Sequence, residues 1–167
     1  STGNGSIPHL AAAQFQKLTS TQLSHVPYKG GSALIVDLVT GRVDLSFATL
    51  ATVIGHIQTG QLIPIAVGGD RRTPNLPETP TFQELGLRDY EVSTWYGLLA
   101  PAGTPAEVIN KINADVNVLL DSPELKAKLL QNGLNASPVS SKAYRQQYDN
   151  DLEHYGKLIR ELNLSVD

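Results

Sequence analysis

Four histidines, His9, His25, His56 and His154, are the side chains best suited to proton transfer in this chain. Acid–base or nucleophilic catalysis needs such a ring beside a nucleophile or a second titratable group. His154 sits with Asp151 and Glu153 on a polar helical stretch and reads as solvated. His25 falls in a strand-like segment, and His56 falls near the end of a short helix, where the dipole favours a cation. Each reads as structural rather than catalytic. The chain has no cysteine and no methionine, which removes thiol catalysis, disulfides and thiolate metal sites. No His, Asp or Glu pair at i, i+4 recurs with a third ligand at metal-binding spacing. Gly-x-Ser-x-Gly is absent, and Gly3-Asn4-Gly5 lacks the third glycine of a dinucleotide fingerprint and the lysine of a P-loop. No catalytic residue, metal ligand or cofactor is therefore assigned, and the chain is not expected to be an enzyme.

The opening stretch, Ser1-Thr2-Gly3-Asn4-Gly5-Ser6-Ile7-Pro8-His9-Leu10, points to binding instead. Two spaced glycines and hydroxyl residues run into a helical pattern, which sets free backbone N–H groups and a positive helix end against an anion. Pro8 contributes no N–H, so contacts are expected from the amides of Gly3 to Ile7 and the hydroxyls of Ser1, Thr2 and Ser6. Residues 28–32 and 48–50 occupy equivalent places before later helices. In an open α/β sheet such loops gather at the carboxyl ends of strands, where ligands bind. They carry almost no side-chain charge, which suits an anion held by dipoles.

The elements that position these loops follow in order. Ser6 is a suitable N-cap for a helix through Leu10, Ala11, Phe15 and Leu18, ending near Thr19. Residues 21–28 read as a strand, Ser32 opens a second helix closed by Gly41, and Val43–Phe47 alternates as a strand. A helix from Thr49 or Leu50 closes at Gly60. Leu62–Val67 is a near-continuous apolar run, as in a strand covered on both faces. Three β-then-α steps predict a mostly parallel sheet with flanking helices. After a polar loop, Thr81 caps a short helix from Phe82 to Leu85, and Tyr90–Leu99 forms a long strand containing Trp95. Thr104-Pro105-Ala106-Glu107 matches a capping box, and Ser122 opens another helix. Ser140 or Ser141 starts the last helix, whose stripe is Tyr144, Tyr148, Leu152, Tyr155, Ile159 and Leu162. Residues 104–167 are thus all helical, amphipathic and without a strand to cover.

With 167 residues, 41% of them hydrophobic, the chain can build a good core. A net charge of −3 without a long basic run argues against nucleic acid or an anionic membrane as partner. No run approaches the length of a membrane span. The absence of an initiator methionine leads to the expectation of a chain that is processed, trimmed or cloned as a piece.

Several blocks, in order, resemble the Bug-type (TctC-like) solute-binding proteins of tripartite tricarboxylate transporters. They are Ser1-x-Gly-x-Gly-Ser6 with His9-Leu10, His25-Val26-Pro27-Tyr28-Lys29-Gly30-Gly31, Gly41-Arg42-Val43-Asp44, Pro77-Glu78-Thr79-Pro80-Thr81, and Ser93-Thr94-Trp95-Tyr96-Gly97. The resemblance implies a periplasmic-binding-protein-like α/β fold of two lobes, whose cleft captures a small carboxylate for membrane transporter subunits. It implies periplasmic localisation and a chain that is a fragment without the first lobe. Residues 1–92 would form the second lobe, 93–103 the interlobe crossing strand, and 104–167 the helical segment that completes the first lobe. The ligand-binding residues it implies are Ser1, Thr2, Gly3, Asn4, Gly5, Ser6, His9, Ala48 and Thr49. Many family members have aspartate where this chain has Ala48, so an unsubstituted carboxylic acid is favoured over an amino acid. A self-associating module, forming a homo-oligomer through the bare helical faces, is the alternative expectation.

Overall fold

The computed structural model describes residues 1–161. Leu162, expected to end the stripe of the last helix, lies outside them. The described residues divide into two compact units: Ser1–Thr94 with residues 158–161, and Trp95–Lys157.

The first unit contains α1 (Ile7–Thr19), α2 (Gly31–Val39) and α3 (Leu50–Gln58). Helix α1 starts with Pro8 in its first turn, where the missing N–H costs nothing. Leu10, Ala11 and Gln14, three and four residues apart, form its buried face. The helix stops at Ser20, which takes the left-handed conformation at φ 54°. Leu34 of α2 and Val53 and Ile54 of α3 are also buried.

All three phenylalanines of the chain converge with Tyr90 in one core. Phe15 lies 5.5 Å from Phe47 and 6.2 Å from Phe82 between ring centroids, and Phe82 lies 4.1 Å from Tyr90. Ala11 and Val92 are buried in the same cluster. Two polar bonds orient it: Tyr90 Oη donates to the Ala11 carbonyl at 3.2 Å, and Gln14 Nε2 donates to the Asp89 carbonyl at 3.1 Å. Aromatic edges and faces at these distances add specificity to the apolar burial.

The expected sheet is not seen as a ladder among the described residues. Parallel pairing occurs at two places. Val67 bridges Thr81, with Val67 N donating to Pro80 O at 2.9 Å and Phe82 N to Val67 O at 3.1 Å. The same pattern surrounds Pro27: Ser1 N donates to Val26 O at 3.0 Å, and Tyr28 N to Ser1 O at 2.9 Å. Single pairs of this kind set a register but do not make a strand. Leu62–Val67, expected to be covered on both faces, instead leaves Ile63 and Ile65 86% and 73% exposed. The short helix expected over Phe82–Leu85 is a turn. Its capping residues nonetheless close a reciprocal box, Glu84 N to Thr81 Oγ1 at 3.1 Å and Thr81 N to Glu84 Oε2 at 2.7 Å.

The second unit contains α4 (Ala106–Asp121), α5 (Pro123–Gln131) and most of α6 (Ser141–Glu161). The capping box expected at Thr104 does not form. Thr104 Oγ1 donates to the Pro101 carbonyl at 2.8 Å, and Pro105 becomes the N-cap without a side-chain bond. Ser122 does cap α5, accepting from Leu125 N at 3.3 Å, and Ser140 accepts from Ala143 N at 3.1 Å at the start of α6. Asn117 grips Val139 twice, Nδ2 to its carbonyl at 3.0 Å and Oδ1 from its amide at 3.2 Å. Trp95 stands edge-on to Tyr144 at 5.2 Å, and its indole N–H donates to Asp151. No residue of α4 or α5 is buried, and Leu119 and Leu152 are 59% and 64% exposed.

Candidate functional site

The loop before α1 is wound around one carbonyl. Gly3 O accepts from Ser6 Oγ at 2.7 Å, Ser6 N at 3.3 Å and Ser1 Oγ at 3.0 Å, while Gly3 N donates back to Ser1 Oγ at 3.2 Å. Gly3 has φ 134°, and a Cβ there would stand 3.6 Å from the Tyr28 carbonyl oxygen, so the loop is seated on the 26–28 segment. Positive φ at Gly3 and at Gly5 (70°) is what permits the winding.

Ser6 occupies the N-cap position of α1, yet its hydroxyl bonds Gly3 O instead of the helix N–H groups. The first-turn amides of Ile7 and His9 meet no acceptor among the described residues. The donors expected from sequence are thus redistributed: Gly3 and Ser6 turn their amides into the loop itself, Gly5 turns its amide to the His9 ring of α1, and Ser1 and Ser6 turn their hydroxyls into the loop. Helices α2 and α3 likewise begin without a side-chain cap, at Gly30 (φ 105°) and at Thr49 (φ −71°, ψ 135°). Their starts adjoin, since a Cβ on Gly31 would lie 3.9 Å from Thr52 Cγ2. Thr52 Oγ1 donates to the Thr49 carbonyl at 2.8 Å. Loop 1–6, which precedes α1, touches residues 26–28, whose chain leads into α2. Ser1, Gly3 and Ser6 form one hydrogen-bonded group and Gly5 bonds His9; among the described residues no hydrogen bond joins Ala48 or Thr49 to either.

His25, read from sequence as structural, belongs to this group. Its ring stacks on His9 with centroids 3.9 Å apart and planes at 10°, and its Nε2 lies 2.6 Å from Ser1 Oγ. His9 Nδ1 accepts from Gly5 N at 3.1 Å. Burial holds both rings below the usual histidine value near 6.5. The Ser1 amino group adds to the effect at His9, and His9 itself, then that amino group, add to it at His25. Behind the loop, Tyr28 Oη donates to Asp37 Oδ2 at 2.8 Å, and Arg42 pairs with Asp37 at 3.2 Å, fastening the turn before α2 to the helix itself. That hydrogen bond, followed by burial and the Asp37 charge, raises the Tyr28 phenol above its usual value near 10.0. Among the described residues no three His, Asp or Glu are grouped as metal ligands. No described helix is long and apolar enough to cross a membrane.

Uncapped helix starts behind glycine loops are suited to holding a small anion, and the solved structures that resemble this chain include a periplasmic transporter and a periplasmic binding protein. The chain belongs to the family described as "Tripartite tricarboxylate transporter family receptor", whose model matches residues 1–164. It is similar to a "UPF0065 protein in tcbD-tcbE intergenic region" of Pseudomonas sp., 34% identical over 167 residues, covering 99% of this chain and 50% of that protein. It is also similar to a "UPF0065 protein in clcB-clcD intergenic region" of Pseudomonas knackmussii, 31% identical and covering 94% of both chains. Among solved structures it resembles "R. palustris Rpa4515 with adipate", with TM-score 0.86 and 29% identity, covering 96% of this chain and 54% of that one. The chain spans about half the length of most of the curated relatives it matches.

Proposed function

We propose that this chain supplies one wall of the carboxylate-binding cleft of a periplasmic receptor that delivers its ligand to membrane transporter subunits. The observation that carries the reading is that α1, α2 and α3 all begin without a side-chain cap, the starts of α2 and α3 side by side and the loop before α1 seated on the segment that leads into α2. Such starts hold a carboxylate by N–H groups and dipoles without a formal counter-charge. Ser1, Thr2, Gly3, Asn4, Gly5, Ser6 and His9 form the first contact and Ala48 and Thr49 the second. The resemblance to a protein solved with adipate supports an unsubstituted dicarboxylate, which agrees with alanine at residue 48. The chain is a binding protein without catalysis or cofactor.

In this reading the chain is a fragment of a longer receptor. Residues 1–92 belong to the second lobe, 93–103 cross between lobes, and 104–167 complete the first. The segments 21–28, 43–47 and 62–67 become strands of a parallel sheet once the chain before Ser1 pairs with them; exposed Ile63 and Ile65 are the apolar positions such pairing would cover. Calorimetric titration of the complete reading frame containing residues 1–167, with mono-, di- and tricarboxylates including adipate, tests the proposal. Binding of one class with the isolated chain binding at least about tenfold more weakly is expected, because half the contacts then bear the whole cost of association. Silence across the panel would sink it.

The exposed faces of α4 and α6 support a second reading, a module that self-associates through Ile112, Leu119 and Leu152. Sedimentation of the isolated chain as a monomer at every concentration would remove it.

A further inference from the structure

We propose that His25 is a positioning residue for the ligand loop: stacked as a neutral ring on His9, it holds Ser1–Ser6 in its wound conformation, and protonation of His9 releases the loop and its ligand. The inference rests on the carboxylate reading above.

The geometry assigns each ring one task. The three contacts of Ser1 Oγ are satisfied together when His25 Nε2–H donates to it, its own hydrogen goes to Gly3 O, and Gly3 N–H donates to its remaining lone pair. His25 thereby fixes the hydroxyl on which the loop turns. His9 Nδ1 takes the Gly5 N–H, which requires that nitrogen to be without a proton. The only nitrogen of His9 left to charge is therefore the one that holds Gly5, and adding a proton replaces a hydrogen bond by two opposed N–H groups. The stack, 3.9 Å between centroids, sets any charge on one ring against the other. The charges facing the pair are the two rings themselves and, only where Ser1 is a free terminus, its amino group; no carboxylate contributes to either shift, and burial lowers both rings first. Lys17 of α1 is engaged with Glu161, and Asp37 of α2 with Tyr28 and Arg42. No carboxylate side chain of the described residues offsets a positive charge there, so in the unliganded loop the neutral form prevails at the usual value near 6.5 and is lost only as pH falls through the lower folded value.

Two measurements separate this proposal from the reading beneath it. Histidine-ring and amide NMR of the polypeptide should place both midpoints below 6.5, with the Gly5 amide signal moving at the His9 midpoint. Midpoints at or above that value, or a Gly5 amide indifferent to His9, would overturn the pair whatever the ligand does. In the complete polypeptide, adipate affinity should weaken from near pH 7.5 to near pH 5 by about threefold more than in the His9→Gln, His25→Gln double variant, which cancels the titration of adipate itself. His25→Phe, which keeps a stacked ring and loses the bond to Ser1, should weaken binding near pH 7.5 about tenfold, and His25→Gln should restore it to within about threefold. Equal pH profiles, or no rescue by glutamine, would overturn the proposal. Absence of adipate binding with the NMR signature intact would remove the adipate reading and leave the pair standing.

Discussion

Gly68 lies so close to the Val92 main chain that a Cβ added at residue 68 would come within 2.8 Å of the Val92 carbonyl oxygen. Backbone cannot rotate aside as a side chain can. Val92 is part of the buried core with Ala11 and Tyr90, so a shift there is transmitted to the aromatic cluster. Gly68→Ala is expected to lower the stability of the first unit by about 1–3 kcal/mol, read from the urea midpoint, while Gly69→Ala strains only its own backbone.

Gly3→Ala probes the loop itself. At φ 134° an alanine is strained by about 1–3 kcal/mol although its Cβ has room beside Tyr28. Carboxylate affinity of the complete polypeptide should fall about tenfold, with little change in the melting of the rest of the chain. A normal affinity would show that the wound conformation is not the binding one.

The box between Thr81 and Glu84 carries a pH signature. Arg72 first, and the Thr81 amide second, hold the Glu84 carboxyl below its ordinary value near 4.5 against the opposing effect of burial. A depressed carboxyl contributes fully above 4.5 and loses its contribution as pH falls through the lower folded value. The melting temperature of Glu84→Gln should therefore differ most from the parent above pH 4.5 and converge with it in acid.

Asn117 is the one side chain that returns both halves of its amide to a single residue across the 113–139 span. Asn117→Leu should cost about 1–2 kcal/mol and abolish protection of the Val139 amide in hydrogen exchange, while Asn113→Ala leaves that amide bonded.

The helices were legible because their signals are local. Leu10, Ala11 and Phe15 repeat at helical spacing, Pro8 and Pro123 stand in first turns, and Ser122 caps where its type suggests. Strands were not, because a strand is a relation between two segments: Leu62–Val67 has the composition of a covered strand, yet Ile63 and Ile65 face solvent. Caps failed where a hydroxyl had a nearer carbonyl, as Ser6 found Gly3 and Thr104 found Pro101. The loop could be picked out by its glycines, but His25 could not, since its partners His9 and Ser1 are 16 and 24 residues away.

The diversion of the Ser6 hydroxyl to Gly3 has a consequence for the medium in which such a receptor works. On the proposed reading an anion at the start of α1 would meet amide dipoles and no Asp, Glu, Lys or Arg side chain from residues 1–10. Mobile ions screen separated charges over about 10 Å at moderate ionic strength but leave a short N–H contact nearly untouched. Capture by this loop should thus hold its strength from dilute water to brine, where a lysine-lined pocket of equal affinity would lose its grip.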